Sequence, residues 1–178
     1  MTQIRYGGLT RAEYLAFRAP YVPADRKVIF VLESPPKSGL YFYNPAGRVS
    51  EPLFSAMMRD VLEFTPERKD DGLAEFARRG YLLLDATYTP VNHDTLSRRE
   101  RNRLILRDLP ILAEELRSYV GHATRIVLVK SNVCELLEPA LISQGFPVVN
   151  RSRKIPFPSN GQQPKFRDRV RAVLSLAS

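Results

Sequence analysis

Two carboxylates and a cluster of aromatic rings are the groups of this chain best placed to do chemistry. Glu33 follows the apolar run Val28-Ile29-Phe30-Val31-Leu32, and Asp85 follows Tyr81-Leu82-Leu83-Leu84. Runs this short and this apolar read as strands buried on both faces. An acid at the end of such a strand can accept a proton, orient water or face a cation. Ser34, Pro35 and Pro36 come next, and the prolines lack the N–H that a ladder needs, so the first strand stops there. Lys37, Ser38 and Gly39 then lead into Leu40-Tyr41-Phe42-Tyr43. Taken alone, that loop packs its rings on the core. Beside a polar strand end it makes a pocket instead, with a carboxylate at the floor and a ring for stacking a flat ligand.

The elements that must position these groups alternate between strand and helix. Thr10 to Glu13 has capping-box spacing, which predicts a helix over 10–19 that Pro20 and Pro23 end. Ser50 reads as an N-cap with Glu51 and Pro52 in the first turn. Leu53, Phe54, Met57, Val61, Leu62 and Phe64 then share one helical face. Thr65 to Asp71 reads as a loop and Leu73 to Arg79 as a helical turn before the second strand. The segment Ala86 to Asp94 has no helical period and reads as a functional or capping loop. Ser97 and Glu100 form a second capping box, and Leu104 to Tyr119 is helical despite Pro110, with Asp108 as a possible restart. Arg125 to Val129 is a third buried strand, Val133 to Ser143 a helix, Phe146 to Val149 a fourth short strand and Gln163 to Leu176 the last helix. This alternation predicts an α/β fold: three layers, α/β/α, around a central, mainly parallel four-stranded sheet. Glu33 and Asp85 then lie side by side at one edge of that sheet, where open α/β sheets take their ligands.

With 178 residues the chain is expected to form a single domain, residues 1–26 being an N-terminal helical extension. No apolar run approaches the ~20 residues that span a bilayer, and the first residues have no apolar signal core. One cysteine, Cys134, leaves no internal disulfide, zinc ribbon or four-cysteine cluster. No glycine-rich phosphate loop follows any strand. The expectation is a cytoplasmic protein with no cofactor and no metal. Lys and Arg number 27 against 19 Asp and Glu, a net charge of +8 that favours a polyanionic partner. The excess is concentrated: Arg151, Arg153, Lys154, Lys165, Arg167, Arg169 and Arg171 stand against Asp168 alone. A solvated helix face accounts for such a stretch as well as a phosphate-binding surface does.

In their order along the chain these motifs resemble the uracil-DNA glycosylase superfamily, from about residue 27 to the C-terminus. The family's Gly-Gln-Asp-Pro-Tyr, or Gly-Glu-Ala-Pro-Gly, after its first strand is similar to Leu32-Glu33-Ser34-Pro35-Pro36. Its Gly-Leu-Ala-Phe is similar to Gly39-Leu40-Tyr41-Phe42, and its Ala-Arg-Gln-Gly before Leu-Leu-Leu-Asn to Ala77-Arg78-Arg79-Gly80 before Leu82-Leu83-Leu84-Asp85. Its His-Pro-Ser or Asn-Pro-Ser resembles Phe157-Pro158-Ser159. Three positions depart from the pattern. Ser34 stands where several branches carry a water-activating Asp or Asn, Asp85 where the amide reads uracil, and Phe157 where His or Asn donates to the base.

The resemblance implies a protein of base excision repair that flips a damaged or deaminated base out of single- or double-stranded DNA and hydrolyses its N-glycosidic bond. It makes Glu33 and Ser34 the catalytic candidates, and Pro35, Phe42, Asp85 and Phe157 the base-binding ones. Ser159, Asn160, Lys165 and Arg167 become candidate DNA contacts. Phe157 offers no hydrogen bond, and His93 is the histidine placed to stand in, although a surface role fits both His93 and His122. Two other readings stand beside this one: the same fold binding DNA and a base with little chemistry, and an unrelated α/β protein that binds a nucleotide-like small molecule.

Overall fold

Every residue of Val28–Leu32 is buried, as a strand covered on both faces requires. This is β1, and a computed structural model describing residues 9–92 and 95–175 places it at the centre of a three-stranded parallel sheet. Tyr81–Asp85 (β2) lies on one side, with Leu32 opposite Asp85, and Arg125–Leu128 (β3) on the other, with Val31 opposite Leu128. The order is β2-β1-β3. Phe146 to Val149 extends the sheet through a single bridge, Ile126 to Val148, rather than as a full fourth strand. Pro147 has no N–H to give a ladder, so Ile126 donates to its carbonyl and accepts from Val149 on either side.

The helices are α1 (Arg11–Arg18), α2 (Pro52–Ala56), α3 (Lys69–Arg78), α4 (Arg98–Tyr119), α5 (Ser131–Ser143) and α6 (Gln163–Ser175). Both expected capping boxes form, Thr10 with Glu13 and Ser97 with Glu100. Three local readings are corrected. The N-cap of α2 is Glu51, not Ser50, because Pro52 occupies the first helical position and forces the residue before it out of the helical region. The helix α3 begins at Lys69, inside the expected loop. Asp108 does not restart α4, which runs unbroken through Pro110; its carboxylate accepts from the Thr87 hydroxyl at 2.6 Å. The helix after the aromatic loop continues past Ala56 as a π-helical turn, Met57–Leu62, and ends at Glu63 with φ +52°.

The connection β1→β2 steps to one side of β1 and β2→β3 returns across it. Right-handed crossovers therefore send α2–α3 and α4 to opposite faces. The direction of winding reverses at β1, and the carboxyl ends of the strands open a crevice at such a switch point. One apolar cluster extends from Tyr14 to Val173 and includes β1, Phe54, Phe76, Leu116, Val133 and Phe166. No helix among the described residues is long and apolar enough to cross a membrane. Residues 1–8 of the expected extension, His93, Asp94 and residues 176–178, with the expected helix end at Leu176, lie outside the described residues.

Candidate active site

The parallel register sets three charged side chains in a row at the carboxyl ends of the strands. Asp85 ends β2, Glu33 follows β1 and Lys130 follows β3. The ladder runs on past the strands, with Ala86 donating to the Leu32 carbonyl, Thr87 to that of Glu33 and Val129 to that of Val31. Beyond them the two loops are zipped by side chains. The Ser34 hydroxyl accepts from Val91 N–H at 3.2 Å, and the Asn92 amide oxygen accepts from Lys37 N–H at 3.0 Å.

A cavity of about 500 Å³ opens above this row. Glu33, Ser34, Pro35, Phe42, Asp85, Phe157 and Ser159 all line it. The folded chain thus gathers into one wall residues separated by more than a hundred positions. Asn160, Lys165 and Arg167 do not line it.

Glu33 is buried yet well partnered. Lys130 Nζ makes a close ion pair with Oε2, and the Asn132 amide donates to Oε1 at 2.7 Å. Burying a carboxylate costs several kcal/mol unless a cation and further hydrogen bonds compensate, and both are present. Each carboxylate oxygen keeps a lone pair for a further donor. Lys130 holds this position with φ +85° and ψ +132°, a conformation that glycine adopts freely and other residues only at a cost of about 1–3 kcal/mol. Its own N–H donates to the Ile155 carbonyl, which fixes it.

Asp85 is the opposite case. Only 4 % exposed, it leaves Oδ2 without a hydrogen-bond partner among the described residues. Burial pushes its carboxyl up to about 7; the guanidinium of Arg18 pulls the other way and Glu115 adds to the rise. Although Glu33 and Asp85 end neighbouring strands, Glu33 is matched by Lys130, and the acid acting on Asp85 is Glu115. The Tyr41 hydroxyl, also at the cavity, is likewise buried and unpartnered, and burial first and Asp85 second push it well above its usual range. Unsatisfied buried polar atoms cost about 1–3 kcal/mol each and call for an explanation, such as a ligand that supplies the missing bond.

Phe42 is held in place by rings, with centroids 5.0 Å from Tyr43, 5.7 Å from Phe54 and 5.3 Å from Phe76. Tyr43 accepts the Leu83 N–H at 2.7 Å, which caps the outer edge of β2. Beneath the loop Lys69 is fully buried; its ammonium donates to the Tyr41 carbonyl at 2.8 Å and to Glu51 Oε2 at 2.6 Å. A Cβ on Gly47 would lie 2.2 Å from Glu51 Oε1, so only glycine lets the chain pass this ion pair.

No protein-family model and no curated protein matches the chain.

The basic stretch is partly spent within the molecule. Arg171 donates to the Asp60 carbonyl and pairs with Glu63, Arg169 donates to the Lys154 carbonyl, and Arg167 pairs with Asp168. Arg151, Arg153 and Lys165 make no ion pair with a described residue. Lys154 and Arg98 share Glu135, which brings the basic N-terminus of α4 to the same side as the tail. His122 is exposed in the turn before β3, as expected. Sequence reasoning missed Lys130, Asn132 and Asn92. The only signal for Lys130 was its place: the first polar residue after an apolar strand, like Glu33 and Asp85.

Proposed function

We propose that this protein is a DNA glycosylase-like enzyme of the uracil-DNA glycosylase type. In this reading a base turned out of DNA enters the cavity above the strand ends and loses its N-glycosidic bond. The observation that carries it is the convergence, in one cavity, of a carboxylate, a ring and a buried acid with one oxygen unpartnered among the described residues. Phe42 and Phe157 offer faces for a flat ring. Stacking of this kind is worth ~1–3 kcal/mol per base. Asp85 Oδ2 supplies a polar atom that lacks a partner until a base edge meets it. Glu33 faces the sugar as its bond to the base breaks, stabilises the positive charge that develops there and accepts a proton from the attacking water. The exposed basic side chains of the tail and of α4, with Ser159 and Asn160, hold phosphates.

A second reading, a base- and DNA-binding module without chemistry, draws on Phe157, which cannot donate to a departing base, and on Ser34, whose hydroxyl is engaged by Val91. Incubation with DNA carrying uracil, hypoxanthine, xanthine or mismatched bases, followed by cleavage of abasic sites, decides between them. Abasic sites that require Glu33 support the enzyme; salt-dependent DNA binding with no base release supports the module.

A further inference from the structure

A base that leaves with its bonding electrons needs a cation or a proton, and Phe157 provides neither. Among the described residues lining the cavity the one cationic side chain is Lys130. It is only 30 % exposed, it touches Glu33, and it occupies a backbone conformation suited to glycine. Strain of this kind, kept at the rim of a cavity with an ammonium directed at a buried acid, marks a residue retained for what its head group does. Glu33 asks for a cation beside it, and the one supplied also lines the cavity and carries protons to give.

We propose that Lys130 is a catalytic acid that neutralises the departing base, and that with Glu33 it forms a closed proton-transfer pair; this rests on the glycosylase reading above. The C1′–N bond breaks and both its electrons leave with the base. Water bonds to C1′, and its proton passes to Glu33. Lys130 gives one Nζ proton to the base, which departs neutral. Glu33 then returns the proton it took to the Lys130 amine through their direct contact. One water is consumed, one sugar hydroxyl and one protonated base are formed, and both side chains end as they began. The ammonium takes the role for which Phe157 is unfit.

The test separates help to the leaving group from support of Glu33. Single-turnover base release is measured for the wild type, Lys130→Gly and Lys130→Arg on a base that the wild type excises and on its ring-fluorinated analogue, a more acidic leaving group. Glycine suits φ +85°, so this variant keeps the backbone, and circular dichroism checks its fold. The expected result for Lys130→Gly is a loss of ~10²-fold or more on the ordinary base and less than ~10-fold on the fluorinated one. Lys130→Arg, which keeps the charge beside Glu33 but holds its proton, is expected to stay nearly as slow as Lys130→Gly on the ordinary base; full recovery would mean that the charge and not the proton matters, and would overturn the proposal. Equal losses on both bases would mean that Lys130 only holds Glu33, and no loss would mean that it is idle; either result overturns the proposal while leaving the glycosylase reading intact. If the wild type releases no base from any substrate, both readings fall together.

Discussion

Asp85 is the residue whose environment makes the sharpest claims. Its carboxyl is pushed up to about 7 by burial, whereas in the unfolded chain it titrates near 3.8. Between those values the folded protein holds a proton that the unfolded chain has released, so stability is present at acid pH and is lost as pH rises through about 4 to about 7. Asp85→Asn removes the charge. Its unfolding temperature should match the wild type near pH 4 and exceed it by several degrees at pH 8, since a shift of this size is worth a few kcal/mol. Thermal unfolding across that range checks the sign; a variant less stable than wild type at pH 8 would show that the carboxylate has a partner. The same atom bears on which base is read. An ionised carboxylate only accepts, so it can take the N3 proton of uracil but meets O4 with a second acceptor. Protonated, it both donates and accepts, and matches either the N3–H and O4 of uracil or a ring nitrogen beside an exocyclic amino group. Weak uracil release is therefore expected above pH 7, where the carboxyl is ionised, with a gain in Asp85→Asn; robust wild-type release at pH 8 that the variant loses would refute it. Glu33 makes a plainer case. Glu33→Gln should abolish base release with folding and DNA binding largely retained, and full activity in that variant would make Glu33 a structural acid.

At the scale of elements, the aromatic loop owes its position to α3. Lys69 reaches from the first turn of that helix to the Tyr41 carbonyl and Glu51, so one buried ammonium joins the loop, the start of α2 and α3. Removing one partner of a buried pair leaves the other charged and unpaired, which costs ~3–5 kcal/mol, while replacing both is far milder. Lys69→Met should destabilise by that amount and Lys69→Met with Glu51→Gln by much less, measured by denaturant unfolding. Additive losses would mean that the two side chains are not coupled. The single variant should also weaken base capture, because Phe42 directly follows the carbonyl that Lys69 holds.

For the molecule as a whole the question is where +8 is displayed. Arg169 and Arg171 are committed to α6 docking and the fold, whereas Lys165 is exposed and makes no ion pair with a described residue and Arg167, among the described residues, holds only its neighbour Asp168. Replacing Lys165 and Arg167 with Ala should weaken binding to DNA of every sequence alike and flatten the slope of log K against log salt by up to ~2. Unchanged affinity at low salt would remove both from the interface.

The sequence alone determined whatever depends on local pattern. Apolar runs before Glu33 and Asp85 located one strand to the residue and a second to within one, two capping boxes located helix starts, and alternation of strand and helix predicted a parallel sheet. Proline positions were read unevenly: α4 runs through Pro110 as expected, but Pro52 moved a cap by one residue and Pro147 reduced a strand to one bridge, because packing around each proline decides what its missing N–H costs. The rest belongs to the tertiary structure, since charges titrate and pair through space. No local pattern tells that Lys130, 97 positions along, neutralises Glu33, or that Lys69 lies beneath the aromatic loop. Nor does any tell that Asp85 Oδ2 is buried without a hydrogen-bond partner among the described residues. Those facts follow from strand order, and strand order is settled only when the whole chain packs around β1.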